Sequence, residues 1–222
     1  MKSESNKLAV RGELALIAMV IMNSAGVLLM LHSGSGISAI SSVPYGFQQV
    51  FPQLTLGTWT YLFQGCLVLS LMLLRKKFVP SYLFSFVVGF VFGKLMDLEK
   101  PFIDALPLNI PMRVLYFVLS YLILCFGISL GNRCGLPITP TDLFPREMAD
   151  ITKLPYARVK ITFDLTCLIT TAVITFVGVG AIRGLGIGTV VAACTMGKGI
   201  SFIGSLLDKR LTFHSVLDGQ KV

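Results

Sequence analysis

Gly34-Ser-Gly-Ile-Ser38-Ala-Ile-Ser41-Ser42 and Gly135-Leu-Pro-Ile-Thr139-Pro-Thr141-Asp142 each stand directly behind a long apolar run. Each opens on a glycine and passes into a short, hydroxyl-rich segment that is too short and too polar for an ordinary membrane span. The stretches they begin, about 34–50 and 135–150, are assigned as re-entrant or broken half-helices. Around them the apolar segments fall at about 13–31, 57–74, 80–98, 112–131, 160–182 and 185–207. Each is long enough to cross hydrocarbon as a helix that satisfies its own backbone hydrogen bonds. The expected architecture is therefore all-α: a polytopic membrane helix bundle of about six spans plus two half-helices.

Composition agrees. Of 222 residues, 54% are hydrophobic and only 14% charged, whereas a soluble domain carries about 25% charge. So little polar surface cannot cover a soluble fold, and six spans consume the chain without room for a soluble catalytic domain. The net charge of +8 is scattered between apolar runs, which argues for membrane topology and against a nucleic-acid partner. With a cytoplasmic N-terminus, one side receives Lys2, Lys7, Arg11, Arg75, Lys76, Lys77, Arg133, Arg146, Lys153, Arg158, Lys160, Lys209, Arg210 and Lys221. The other receives Lys100, Arg113 and Arg183. This follows the positive-inside rule only if both half-helices return to the side they entered from, and it predicts both termini cytoplasmic.

The halves repeat. A shift of 101 places His32-Ser33-Gly34 on Arg133-Cys134-Gly135, Ile37-Ser38 on Ile138-Thr139 and Pro44 on Pro145; later the shift becomes 104 and Gly93-Lys94 meets Gly197-Lys198. The units are residues 1–110 and 111–222. Three crossings per unit is an odd number, so the second copy enters the membrane inverted. Inverted repeats with interrupted helices in matching places point to secondary transporters, whose site lies near the midplane between the halves.

Pro140-Thr141-Asp142-Leu143, Lys160 with Asp164, and Gly184-Leu-Gly-Ile-Gly188-Thr-Val before Gly197 resemble the YczE/YyaS/YitT group of bacterial membrane proteins, most strongly over 130–207. The resemblance implies a multi-pass protein of the bacterial cytoplasmic (inner) membrane and carries no settled activity. Some members have a soluble domain after the last span; none is expected here.

The candidate site is drawn from the half-helix starts and from polar residues within the apolar spans. Half-helix N-termini present free N–H groups and a positive dipole end that attract anions, so Gly34, Ser35, Ser38 and Ser41 pair with Gly135, Thr139, Thr141 and Asp142 as substrate-binding candidates. The alternative is a polar turn packed in protein. Thr139 or Thr141 is expected to cap the second half-helix. Lys94 and Lys198, within apolar spans, either charge the site or snorkel to an interface. Asn23 in the first span binds substrate or makes an interhelical hydrogen bond. Asp164 is a coupling-ion candidate or a rim salt bridge to Lys160 four residues earlier; Asp142 faces the pathway or pairs with Arg146.

No G-x-S-x-G or H-E-x-x-H occurs, His32 and His214 are far apart, and the glycines at 184, 186 and 188 lack dinucleotide-loop spacing. No enzyme activity, cofactor or metal is expected. The five cysteines read as packing residues. The sequence reading is a transporter or exporter of a small, anionic, organic solute by alternating access. A substrate-capturing or regulatory subunit of a larger transport complex is the alternative, and a homodimer is compatible with either.

Overall fold

The computed structural model describes residues 8–214, so the termini whose cytoplasmic placement the charges predict lie outside the described residues. Six long helices form the body: α1 (Gly12–His32), α3 (Leu56–Arg75), α4 (Pro80–Asp104), α5 (Ile110–Gly131), α7 (Tyr156–Val179) and α8 (Ile187–Arg210). All six are long and apolar enough to cross a membrane. Two short helices, α2 (Ala39–Val50) and α6 (Pro140–Thr152), stand where the half-helices are expected. The outward faces are apolar: Ile17, Leu69, Phe84, Val177 and Ile187 are all exposed. A water-facing surface of this kind would be unstable, whereas lipid tails solvate it, and the chain is a multi-pass integral membrane protein.

Close approach depends on small residues, as expected where lipid supplies no hydrophobic drive between helices. On α5, Gly127 faces Asn23 and Gly131 faces Met19 of α1; between α3 and α4, a methyl group on Gly57 would stand 2.1 Å from the Gly93 carbonyl oxygen. Side chains cap the loop-to-helix entries of α3 and α5, where Thr55 Oγ1 accepts from Thr58 N–H and Asn109 Oδ1 from Met112 N–H.

One feature departs from an all-helical reading. Leu8–Arg11 (β1) pairs in parallel with Leu211–His214 (β2). Four residues are too few for a period-two signal to stand out beside long apolar helices. The ribbon joins the start of α1 to the end of α8 and defines one end of the bundle, the strand end. Arg133, just beyond α5, donates to Asp208 of α8 at 2.6 and 2.7 Å. Glu147 of α6 takes Arg75 at the end of α3 (2.5 Å) and the Tyr82 hydroxyl near the start of α4. At the far end, His32 Nε2 meets Leu106 O at 3.1 Å and the Ile37 N–H donates to Gly184 O at 3.0 Å.

The short helices start inside and end where the preceding span ended. Along α2, Ser42 bonds Thr171, Gly46 packs on Thr171 and Thr175, and Val50 packs on Gly178. α2 thus runs beside α7 toward the far end, where α1 also finished. Along α6, Pro140 packs beside Gly89 of α4 and Glu147 reaches Arg75, so α6 runs toward the strand end, where α5 finished. Exchanging α1, α2, α3, α4 with α5, α6, α7, α8 maps each helix–helix packing onto another: α2 on α7 matches α6 on α3, α3 on α4 matches α7 on α8, and α1 on α4 matches α5 on α8.

Candidate functional site

The N-termini of α2 and α6 approach from opposite ends and meet at one buried cavity of about 40 Å³. A water needs about 10–15 Å³ measured this way, so the space holds a few waters or one small ionic group and is closed to anything larger. Val27, Phe92, Leu124, Ile128 and Met196 form its apolar wall; Ser38, Ser41, Thr141, Asp142, Lys160 and Asp164 form its polar one.

Local sequence explains why helix ends arrive here. Gly34 and Gly36 hold φ of +76° and +109°, conformations that cost other residues dearly. They turn the chain back into the bundle, and residues 34–38 stay non-helical until Ser38, with φ −58° and ψ 143°, starts α2. On the other side Thr139 (ψ 140°) starts α6, with Pro140 preset for the first helical position. Neither Ser38 nor Thr139 closes its helix with a side-chain acceptor. The Ala39, Ile40 and Ser41 N–H groups have no intrahelical acceptor, and these three residues line the cavity. The expected capping role of Thr139 is reversed: its hydroxyl donates to Asp142 Oδ2 at 2.9 Å.

Lys160 is the centre of charge. Its Nζ donates to both Asp164 oxygens at 2.6 and 2.8 Å, and the two residues are 2% and 1% exposed. The pair is therefore no rim salt bridge. Helix spacing gave the i, i+4 partnership but not its depth, which follows from α2, α6 and α8 all packing on α7. Asp142 is also buried and faces the cavity. Two carboxylates and one ammonium thus line one cavity, a formal charge of −1. Against it stand the positive ends of α2 and α6, each worth roughly half a charge, with Asp142 in the first turn of α6.

Asn23 lines the same cavity, lodged over Gly127, and its buried Oδ1 has no hydrogen-bond partner. An orphaned buried acceptor is a cost that fold stability alone does not explain. Asn23→Leu is accordingly expected to leave thermal stability unchanged or to raise it by about 1 kcal/mol, while lowering ligand-induced stabilisation. Melting curves with and without ligand check both halves.

The other sequence candidates lie elsewhere. Lys94 and Lys198, expected to charge the pocket, project from exposed helix faces outside it. Lys94 lies 5.8 Å from the Tyr61 ring centre and 5.6 Å from that of Phe90. Gly34 sits against the Arg113 guanidinium, and Ser35 packs on Gly186 and Gly188 at the far end. Gly135 lines a second, larger cavity of about 640 Å³ at the strand end, with Ser85, Asn132, Leu143, Arg146 and Glu147. Sequence reasoning missed Lys160 as a site residue, and missed Gln64 and Ser85, which are fully buried; a glutamine inside an apolar run was the available signal.

No curated protein and no solved structure matches this chain. A family model does, over residues 10–205; its description is Family of unknown function (DUF6198).

Proposed function

The chain belongs to DUF6198, a family of unknown function, and from that premise we propose that it is a small secondary transporter moving a small anionic solute through the central cavity. The observation that carries this reading is the meeting of two half-helix N-termini, from opposite ends, at a buried cavity that also holds Lys160, Asp142 and Asp164. In inverted-repeat transporters such N-termini face the anionic group of the substrate near the midplane. The matched packing of the two halves, with three crossings in each, supports an inverted repeat, and the course of α2 and α6 supports re-entrant half-helices. The strand end, which gathers Arg75, Arg133 and Arg146, is the cytoplasmic end on the positive-inside rule. The likeness to the YczE/YyaS/YitT group is part of this proposal and brings no activity with it.

The α2 N–H groups and Lys160 bind the anionic group. With both carboxylates ionised the cavity has no spare positive charge, so entry of an anion is coupled to neutralisation of one carboxylate. A proton is the smallest ion able to do this, and Asp142, without a lysine of its own, is its acceptor. The cavity seen here is an occluded form that holds the anionic group alone, and the rest of an organic solute requires an open form.

Purified protein in liposomes, loaded with small carboxylates or inorganic anions, should show anion flux that accelerates when a pH gradient is imposed. Asp142→Asn should retain binding and lose the pH-gradient response. Flux only in the presence of other subunits would instead identify a component of a larger complex; binding of cations alone would reject the anion reading.

A further inference from the structure

Gln64 and Ser85 are two polar residues of the interior that lie outside the central cavity. Both are fully buried, and Gln64 Oε1, Gln64 Nε2 and Ser85 Oγ all lack hydrogen-bond partners. They are neighbours. A methyl group on Gly89 would lie 1.8 Å from Gln64 Oε1 and 2.9 Å from Pro140 Cδ, and Ser85 is one helical turn from Gly89 on the same face of α4. Three orphaned polar atoms therefore cluster at the α6 N-terminus. Ser85 lines the strand-end cavity of about 640 Å³. On α6 only one peptide bond separates Leu143, which lines that cavity, from Asp142, which lines the central one.

The matching layer of the other half is chemically opposite. The shift of 101 carries Ala39 onto Pro140, and the shift of 104 carries Gln64 onto Leu168, Gly89 onto Ala193 and Ser85 onto Thr189. Ala39, Leu168 and Ala193 form a separate buried apolar cluster, and Thr189 takes a bond from Gly186 N–H at 3.3 Å. Two geometrically paired layers thus flank the site. One is apolar, with its hydroxyl bonded; the other holds an amide and a hydroxyl without a protein hydrogen-bond partner.

Resting on the transporter reading, we propose that Gln64 and Ser85 form a hydrated subsite that passes the solute between the strand-end cavity and the central site, while the Ala39–Leu168–Ala193 layer seals the far end. A primary amide and a hydroxyl offer donors and acceptors together. They suit water and the hydrogen-bonding groups of an anion shedding its hydration shell, and an orphaned pair of this kind is otherwise a pure cost in the core.

The test reads water access directly, because a thiol reacts as the thiolate and needs an aqueous setting. Gln64→Cys and its counterpart Leu168→Cys are treated, in oriented membrane vesicles, with an anionic, membrane-impermeant methanethiosulfonate from either side. Peptide mass mapping separates the new thiol from the native cysteines. Gln64→Cys should react from the strand-end side at least about tenfold faster than Leu168→Cys reacts from either side. Equal rates, an inert Gln64→Cys thiol, or faster reaction from the far end would overturn the proposal. If Gln64→Cys protein does not fold, Ser85→Cys and Thr189→Cys give the same comparison. Anion flux without labelling at Gln64 removes the path and leaves the transporter; labelling without flux keeps the path and removes the transporter.

Discussion

Lys160→Met should cost about 3–5 kcal/mol of stability, the loss typical when one partner of a buried ion pair is removed. The reason is what remains: Asp164 loses both of its short contacts, and Asp142 loses the cation that shares its cavity. Two carboxylates would face each other across a space that holds only a few waters. Lys160→Met with Asp164→Leu should recover most of that loss, because well-packed apolar side chains often replace a buried pair at no net cost. The double variant should nonetheless bind no anion. Thermal unfolding in detergent compares the three proteins. A single variant as stable as the parent would mean that water reaches the pair, and the closed site described here would fall.

Gly36→Ala is the second large effect. Its φ of +109° lies where an L-residue is strained by about 1–3 kcal/mol. The added methyl would also stand 1.9 Å from Thr189 Oγ1 and 2.7 Å from the backbone nitrogen of Gly186, and such overpacking costs about 1–3 kcal/mol more. Thr189 can rotate, but the Gly186 backbone cannot move without shifting the start of α8. Gly180→Ala supplies the control: φ is +74° and nothing lies within 4 Å, so strain alone acts. Unfolding midpoints should place Gly36→Ala below Gly180→Ala by a further 1–3 kcal/mol, as expected from that overpacking term. Equal midpoints would show that the loop carrying α2 to the cavity tolerates displacement.

The spans were legible because each is an apolar run matched to the bilayer, and the run expected at 13–31 became Gly12–His32. Boundaries moved where helix signals and hydropathy part. α4 continues to Asp104, well past 98, because Asp97, Glu99 and Lys100 end the apolar run without ending a helix. α7 stops at Val179 because Gly180 turns left-handed. Short helices stand within the two stretches read as half-helices but begin later, at Ala39 and Pro140, since the glycines before them turn the chain at positive φ. In the site, Ser38, Ser41, Thr141, Asp142, Asp164 and Asn23 line one cavity, the first four from the starts of the short helices and the last two as polar residues within apolar spans. Lys94 and Lys198 do not, because intramembrane position along a helix says nothing about the face. Lys160 was hidden for the converse reason: a lysine at the start of an apolar run resembles a loop cation, and only the helices packed around α7 turn it inward.

Each short helix lodges in the other half: α2 packs most extensively on α7, and α6 bridges α3 and its own α7. During synthesis, α2 is complete roughly 100 residues before α7 begins, about 5–20 s at ordinary elongation rates. Through that interval Ser41 and Ser42 lack the helix that buries them, and the Ser42 hydroxyl has yet to meet Thr171. The first half therefore waits on the ribosome as an unfinished hairpin. Its glycine loop finds Gly184 only once the second half is made, and the β1–β2 clasp cannot close before Leu211–His214 is made.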